Sequence, residues 1–304
     1  MLRGAPPFLL AWALLASCSG GEPAPGDGSV EGDADHAAEV DVEAGPDADA
    51  DVEAGPDADG AFDGDVETED APDGETGGDA SDVRDTLDPD RRLQDLEHLA
   101  DLELLRALHD RVAGHTSLGY EAARLVLFSE LDVHGGLVEC VYTGLTAVAD
   151  GTISPGTFNT EHSWPQSEGA DAEPARSDLH HLFPTDADAN NRRGSHPFGE
   201  TACVGAACDW AVGGSELGTV TGGVELAFEV RAATRGDIAR AHFYFAARYE
   251  LAIPDTEETF LRLWHAEDPP SVAEQARNDA IEARQANRNP FVDRPDFVAR
   301  IADF

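Results

Sequence analysis

The sequence contains no lysine, so arginine supplies every permanent positive charge, and acidic residues greatly outnumber it. The chain has 61 Asp and Glu residues against 20 basic residues, which gives a formal net charge of −41. A protein that binds nucleic acid over a broad surface needs an excess of basic residues. The composition therefore argues against such a surface and predicts weak binding of nucleic acid anywhere except in a cleft with local positive charge.

Motifs for zinc are missing as well. The sequence has neither a CxxC pair nor an HExxH motif, and these absences argue against a zinc site. Of the four cysteines, Cys140 has the surroundings of a small buried apolar residue. Cys203 and Cys208 form either a disulfide or two free thiols, and an oxidising compartment after export favours the disulfide.

The N-terminal apolar segment is too short to span a bilayer as a helix. The apolar segment at residues 8–16 is of the length found in secretory signal peptides. It leads into Leu-Ala-Ser-Cys at residues 15–18, which resembles the bacterial lipobox. We therefore expect residues 1–18 to be a lipoprotein-type signal peptide that ends at Cys18, so that a lipid at Cys18 is the protein's only contact with the membrane. The alternative is an ordinary signal peptide cut near Ser17, which would make the protein secreted.

Residues 19–85 have a composition unlike the rest of the chain. They carry 24 acidic residues against the single Arg84, and DVEAGPDADA at 41–50 recurs as DVEAGPDADG at 51–60. So few large apolar side chains and so much like charge predict a disordered, self-repelling linker. The Asp runs lack the Gly and terminal Glu of an EF-hand loop, so calcium binding is not favoured.

The remaining residues, 86–304, keep a net charge of −19, from 37 acids and 18 arginines, and are predicted to form one mixed α+β domain. Helical spacing of apolar residues predicts helices, and short apolar runs between turn residues predict strands. The predicted helices are 90–113, 121–131, 238–251 (buried almost all round), 260–265 and 272–288. The predicted strands are 137–142, 146–149 and 158–162, with a hairpin formed by 217–220 and 224–230.

Residues 157–200 concentrate the chemically active side chains. A strand is predicted to end at His162, just before Trp164-Pro165, and Pro184-Thr185-Asp186 supplies an N-cap signature for a following helix. A strand end and a helix start, separated by a polar loop, can bring Glu161, His162 and Asn190 to one point. Such an arrangement can form a small metal site.

The same stretch carries a family resemblance. The segments NTEHSWPQS at 159–167 and RSDLHHLFPTDADANNRRGSHPFGE at 176–200 resemble the endonuclease I family of secreted bacterial nucleases, whose active site is a His-Me (ββα-metal) finger. Further blocks agree in order, and the resemblance covers most of residues 115–297. These blocks are VYTG at 141–144, RGDIARAHFYFAARY at 235–249 and NRNPFVDRP at 287–295.

The resemblance implies an endonuclease that hydrolyses phosphodiester bonds of DNA or RNA with little sequence preference and leaves 5′-phosphate ends. It implies His162 as general base, and an imidazole titrates near neutrality without tuning. It implies Glu161 and Asn190 as ligands of one divalent cation, Mg²⁺, with Mn²⁺ or Ca²⁺ as alternatives; adjacent Asn191 competes with Asn190 for this role. Arg193 is expected to bind phosphate, with Arg176 as the other candidate.

Other polar residues are expected to pack around the site residues and orient them. Asp178 is predicted to orient the ring of His180 or His181, in the manner of an outer shell around a metal site. We expect His196, His242 and His265 to be structural and the protein to be a monomer. Two alternatives remain for function: a catalytically inactive binding protein with the same fold, and a hydrolase of small phosphodiesters.

Overall fold

The structure, a computed structural model, describes residues 92–152 and 154–304, which form a mixed α+β fold as predicted. The signal peptide, the acidic linker and the start of the domain near residue 86 lie outside the described residues. The helices are α1 (Asp101–Val112), α2 (Tyr120–Val126), α3 (Ala187–Arg193), α4 (Arg235–Tyr249), α5 (Asp255–Glu267), α6 (Val272–Gln285) and α7 (Pro290–Asp293). The strands are β1 (Val133–His134), β2 (Leu137–Glu139), β3 (Thr146–Val148), β4 (Phe158–His162), β5 (Leu182–Asp186), β6 (Trp210–Val212), β7 (Ser215–Thr219) and β8 (Leu226–Glu229).

The described strands form three small antiparallel sheets, in the orders β1-β2-β3, β4-β5 and β6-β7-β8. Strands β7 and β8 pair as the predicted hairpin, with Gly222-Gly223 in the connection. Beside this hairpin, Cys203 and Cys208 form a disulfide, and Cys140 is a buried free cysteine, so both cysteine predictions are confirmed.

Helix α1 is shorter than the apolar spacing predicted. The helix begins at Asp101 rather than near residue 90, because Leu93 has a left-handed backbone (φ 61°) and Ala100 is extended (φ −148°). Its buried residues, Leu104, Leu108 and Val112, recur every fourth position and form one face. Between residues 92 and 100 the chain forms only a single 3₁₀ turn, Gln94–Leu96, from which Leu96 packs into the core.

Helix α4 lies at the centre of the described domain and packs against α1, α5 and α7. Twelve of its fifteen residues are buried, which confirms the predicted helix that is apolar almost all round. His242 is among these buried residues, as expected of a structural histidine. Gly236 allows the close approach of the chain after α5, since a Cβ there would lie 2.0 Å from the backbone oxygen of Asp268.

The β4-β5 ribbon and α3 together position the site. The ribbon pairs Glu161 with Phe183 and His162 with Leu182, and α3 starts directly after β5. The Asp186 carboxylate caps this helix by accepting hydrogen bonds from the backbone N–H groups of residues 188 (3.0 Å) and 189 (3.2 Å). Two strands and a helix thus follow one another as ββα. No helix among the described residues is both long and apolar enough to cross a membrane.

Candidate active site

A cleft of about 360 Å³ opens where β4 ends and α3 begins. Glu161 and His162 from the strand and Asn190 from the helix all line it, so the structure brings these three predicted residues together. The other lining residues are Thr160, Pro165, Gln166, Ser167, Arg193, Gly194 and Ser195.

Glu161 is the buried carboxylate of this cleft. Its Oε1 atom accepts a hydrogen bond of 2.7 Å from the Tyr142 hydroxyl and lies 3.4 Å from Nη1 of Arg193. The other oxygen, Oε2, has no hydrogen-bond or ion-pair partner within residues 92–152 and 154–304. Burial raises the pKa of Glu161 to about 7, against the opposing effects of Arg193 and the Tyr142 hydrogen bond. One carboxylate oxygen is therefore anchored and the other is available to a ligand.

Asn190 presents the second oxygen donor. Its Nδ2 donates to Oδ1 of Asn159 (2.8 Å) and to the backbone oxygen of Thr160 (3.2 Å). A backbone carbonyl only accepts, so these contacts fix which end of the amide is nitrogen and leave Oδ1 free of partners among the described residues. Asn191 is exposed and does not line the cleft. The geometry favours Asn190 over Asn191 as a metal ligand.

The His162 ring is held by contacts at both nitrogens. Nε2 lies 3.0 Å from the backbone oxygen of Arg176, so it carries the proton, and unprotonated Nδ1 lies 3.4 Å from Nε2 of Gln166. The rings of Tyr120 and His181 pack against it at centroid distances of 5.4 and 5.3 Å. Burial lowers the pKa of His162 to about 3, with a further contribution from the charge of His181. The imidazole is therefore neutral at physiological pH, and Nδ1 is the atom that can accept a proton.

Arg193 occupies a different position from the one expected of a phosphate-binding residue. It is buried, and its guanidinium donates to the backbone oxygens of His162, Ser163 and Gly194 as well as lying beside Glu161. The guanidinium also stacks 4.5 Å from the centre of the Phe198 ring. With both Nη groups used in this way, Arg193 fixes the end of β4 and the orientation of Glu161, while its buried Nε has no hydrogen-bond partner among the described residues.

Arg176 is the more available of the two predicted arginines. Its guanidinium lies 4.4 Å above the centre of the Tyr120 ring, and Tyr120 in turn packs on His162. The side chain is half-buried, its Nε has no hydrogen-bond partner, and it forms no ion pair with any carboxylate of the described residues. The Arg176 guanidinium, which lies next to the candidate base and has no carboxylate partner among the described residues, can therefore bind an anionic ligand.

Asp178 forms no side-chain hydrogen bond to the ring of His180 or His181, contrary to the prediction, although Nδ1 of His115 lies 4.0 Å from its Oδ2. Its buried carboxylate accepts hydrogen bonds from the hydroxyls of Tyr244 (2.8 Å) and Tyr249 (2.9 Å) and from Nε2 of Gln285 (2.8 Å). Its only hydrogen bond to His180 comes from the backbone N–H. Three neutral donors are enough to satisfy this buried carboxylate, so it ties α4 and α6 to the loop before β5.

The two adjacent histidines point to different neighbours, as two successive residues must. His180 Nε2 lies 3.3 Å from the backbone oxygen of Asn287, and its ring packs on Tyr244. His181 Nε2 donates to the backbone oxygen of Ala175 at 2.8 Å, and its ring supports His162. Only His181 therefore contacts the candidate catalytic residues.

Three residues around the site were missed from the sequence. Tyr142 anchors Glu161, Tyr120 packs between Arg176 and His162, and Gln166 faces Nδ1 of His162. Tyr142 lies in the VYTG block, which was noticed for its resemblance but was given no role. Tyr120 begins a helix outside every noted block, so no local pattern pointed to it.

The donor set suits a hard divalent cation. Among the described residues, one group of three His, Cys, Asp or Glu side chains lies close enough to share an ion, namely Cys203, Cys208 and Glu216, but its two sulfurs are joined in the disulfide. The cleft offers instead the free Oε2 of Glu161 and the free Oδ1 of Asn190. Two oxygen ligands fit Mg²⁺, which retains several waters and is bound by few protein groups.

The chain is similar to known nucleases. The sequence model of endonuclease I matches residues 115–296. The extracellular ribonuclease of Bacillus amyloliquefaciens is 32% identical over 223 residues, which cover 65% of this chain and 73% of that protein. The corresponding ribonuclease of Bacillus subtilis (strain 168) is 30% identical over 226 residues, with the same coverage. A periplasmic deoxyribonuclease of Aeromonas hydrophila is 25% identical over 131 residues, covering 42% of this chain and 52% of that protein.

The ββα site and these matches define the class of protein, a nuclease that hydrolyses phosphodiester bonds. The chain belongs to the endonuclease I family, as the resemblance of its motifs predicted. Membership of this family implies that a divalent cation takes part in the reaction.

Proposed function

We propose that this protein is an exported, Mg²⁺-dependent endonuclease that cleaves RNA and DNA with little sequence preference and leaves 5′-phosphate ends. One observation carries the proposal: Glu161, His162 and Asn190 line a single cleft, where Oε2 of Glu161 and Oδ1 of Asn190 have no partner among the described residues and Nδ1 of His162 is unprotonated. The names of the relatives, two extracellular ribonucleases and a periplasmic deoxyribonuclease, support both kinds of substrate and export.

Glu161 and Asn190 would hold the cation. The Tyr142 hydroxyl and Arg193 fix the Glu161 carboxylate, and two hydrogen bonds fix the Asn190 amide, so both donor oxygens are oriented before the cation binds. When bound, a divalent cation stabilises the negative charge that develops on phosphate oxygens and on the departing 3′ oxygen.

His162 acts as the general base. Its Nδ1 takes a proton from the water that attacks phosphorus in line, while Nε2–H donates to the backbone oxygen of Arg176 and keeps the ring in this tautomer. The bond from phosphorus to the 3′ oxygen then breaks, which produces a 5′-phosphate and a 3′-hydroxyl. Arg176 binds a phosphate of the substrate, because its guanidinium is the available cation beside His162.

Turnover assays test this proposal. The purified protein should cleave plasmid DNA and RNA with Mg²⁺, and chelation of the metal should abolish both activities. Hydrolysis of bis-p-nitrophenyl phosphate without cleavage of either polymer would favour the small-phosphodiester alternative. Binding of nucleic acid without any cleavage would favour the inactive binding protein.

We further propose that Cys18 carries a lipid that holds the exported protein on the cell envelope. The lipobox-like Leu-Ala-Ser-Cys at residues 15–18 supports this, and the acidic linker would then separate the enzyme from the membrane. The Cys18→Ser variant should move from the membrane fraction to the soluble fraction, because one acyl-modified cysteine is its only anchor. If that variant still sediments with membranes, the lipid is not attached at Cys18.

A further inference from the structure

Gln166 is a polar residue of the catalytic cleft that is neither a metal ligand nor the general base. It begins a 3₁₀ turn, Gln166–Glu168, directly after β4 and the two residues that end it. The indole N–H of Trp164 donates to the backbone oxygen of Glu168 at 2.9 Å, and the Trp164 ring stacks on Phe245 of α4 at a centroid distance of 5.1 Å. The backbone of the turn is therefore fixed to the core, whereas the Gln166 side chain is exposed to solvent.

The tautomer of His162 determines the orientation of the Gln166 amide. Nε2 of His162 donates its hydrogen to the backbone oxygen of Arg176, so Nδ1 carries a lone pair and no hydrogen. The end of the Gln166 amide that lies 3.4 Å from Nδ1 is therefore the NH₂ group, because two acceptors would repel each other. The second N–H of this group and Oε1 of Gln166 have no partner in the described part of the chain.

The contact between the Gln166 amide and Nδ1 marks the place of the attacking water. Its length of 3.4 Å exceeds the roughly 2.7–3.2 Å typical of hydrogen bonds donated by N–H. An imidazole nitrogen has a single lone pair, so a water that donates to Nδ1 must lie on the side of the ring that faces this amide. Such a water would replace one long contact by two shorter hydrogen bonds, and the exposed Gln166 side chain can change rotamer to make room for it.

We propose that Gln166 positions the attacking water, by donating a hydrogen bond to the water oxygen while the water donates to Nδ1 of His162. Within the described ranges, Gln166 is the only residue whose side chain lies within hydrogen-bond distance of Nδ1. Its N–H and the Nδ1 lone pair fix the orientation of the water and leave a lone pair of the water oxygen for phosphorus.

The inference rests on the proposed nuclease function and adds no proton transfer to it. As the water oxygen forms its bond to phosphorus, one proton of the water passes to Nδ1 of His162. The bond from phosphorus to the 3′ oxygen breaks, and its electron pair leaves with that oxygen. Gln166 keeps both amide protons throughout, so it orients the water without exchanging a proton.

Two other roles of an amide in this cleft would give different results when the amide is removed. A Gln166 that bound the cation through Oε1 would contribute to Mg²⁺ affinity, and one that bound a substrate phosphate through Nε2 would contribute to KM. A residue that holds only the attacking water acts in the transition state, so its loss lowers kcat and kcat/KM equally and leaves KM unchanged.

The test compares the full-length wild-type protein with Gln166→Met, which keeps the length of an exposed side chain and removes both of its polar groups. With single-stranded RNA and saturating Mg²⁺, kcat should fall about 10-fold, as expected from the loss of one hydrogen bond to the reacting water. KM should stay unchanged, and calorimetric titration with Mg²⁺ alone should give the wild-type affinity. An unchanged or increased kcat, a raised KM or a weakened Mg²⁺ affinity overturns the inference.

Glu168→Met is the matched control. It places the same side chain in the same turn, at an exposed residue that does not line the catalytic cleft, and should keep the wild-type kcat. If this variant loses as much kcat as Gln166→Met, the effect comes from the turn and the inference is overturned.

A double-mutant cycle with His162→Ala separates a role in water positioning from a structural role. Without Nδ1 the water has lost its proton acceptor, so adding Gln166→Met to His162→Ala should leave the residual kcat within about 2-fold. A 10-fold loss in both backgrounds would mean that Gln166 acts independently of the base, which overturns the inference while leaving the nuclease function intact. A wild-type protein that cleaves neither RNA nor DNA overturns the proposed function and the inference together.

Discussion

Glu161 and His162 are neighbours in the chain whose pKa values shift in opposite directions for the same physical reason. Burial disfavours the charged form of each, so it raises the pKa of the Glu161 carboxyl to about 7 and lowers the pKa of the His162 imidazole to about 3. The histidine is thereby kept in the form that accepts a proton. Arg193 already favours the ionised form of the carboxyl, and a divalent cation bound at the other oxygen would favour it further.

Replacement of His162 separates proton transfer from metal binding. His162→Ala removes the proton acceptor but leaves both oxygen donors, so kcat should fall by roughly 10²–10⁴, the usual contribution of a positioned general base. Calorimetric titration should still show Mg²⁺ binding.

Asn190→Ala is the matched comparison, because it removes an oxygen donor and leaves the base. We expect weaker Mg²⁺ binding and partial recovery of the rate at high Mg²⁺. If His162→Ala abolishes metal binding while Asn190→Ala leaves it unchanged, the roles assigned to these two residues are reversed.

Tyr142 offers a test of positioning, because it contacts Glu161 and does not line the cleft. Tyr142→Phe keeps the buried ring and removes only the 2.7 Å hydrogen bond to Oε1. Loss of such an outer contact should weaken Mg²⁺ binding about 10-fold or more. A titration curve identical to that of the wild-type protein would show that Arg193 alone is enough to orient the carboxylate.

At the scale of elements, the site depends on how α3 begins. The helix is only seven residues long, so it has little stability of its own and needs both its cap and its packing on β4 and β5. Asn190 lies in its first turns, and any fraying of the N-terminus would displace the Oδ1 donor.

Removal of the cap should therefore affect both stability and metal binding. Asp186→Ala leaves the N–H groups of residues 188 and 189 without their acceptor, at a cost of about 1 kcal/mol in the free energy of unfolding, and should weaken Mg²⁺ binding as well. Asp186→Asn keeps a capping oxygen and should behave nearly as wild type in urea unfolding and in calorimetry. If both variants bind Mg²⁺ equally, the cap does not contribute to the site.

At the scale of the whole molecule, the net charge affects the binding of nucleic acid, whereas the buried titratable groups affect stability. The net charge of −19 on residues 86–304 limits binding of nucleic acid away from the cleft. Several histidines and carboxyls are buried, and their shifted pKa values make stability depend on pH.

Stability should fall as the pH decreases from about 6.5 to 4. Burial lowers the pKa of His180, His181 and His265 to about 4 in the folded protein, whereas unfolded histidine titrates near 6.5, so the unfolded chain takes up more protons over this interval. For His180 alone the difference corresponds to roughly 3 kcal/mol. Urea unfolding measured between pH 4 and 7 should show this loss, and a flat profile would mean that these rings titrate in the folded protein as they do in the unfolded chain.

Two buried carboxyls should contribute to stability with the opposite dependence on pH. Burial raises the pKa of both Glu161 and Glu257 to about 7, so the stability they provide is present below about pH 4.5 and is lost as pH rises through 7. The combined profile should therefore have its maximum near pH 6 to 7.

Local patterns predicted those features that depend on neighbouring residues. Strand β4 was predicted with its exact bounds, because Trp164-Pro165 ends it, and the Asp186 cap was read from three consecutive residues. The start of α1 was misplaced, because a left-handed residue at Leu93 leaves no mark in the apolar spacing. The role of Asp178 was also wrong, since its three side-chain donors come from helices far along the chain.

The sequence by itself determined the family and predicted the ββα segment and Glu161, His162 and Asn190 as candidate site residues, because these depend on residue types at fixed short spacings. Only the tertiary structure decided which atoms of these residues are free to act. Tyr142 and Arg193 reach Glu161 from elsewhere in the fold, the backbone oxygen of Arg176 fixes the His162 tautomer, and burial sets both pKa values. Desolvation and contacts between residues distant in the chain arise only when it folds, so no local pattern in the sequence records them.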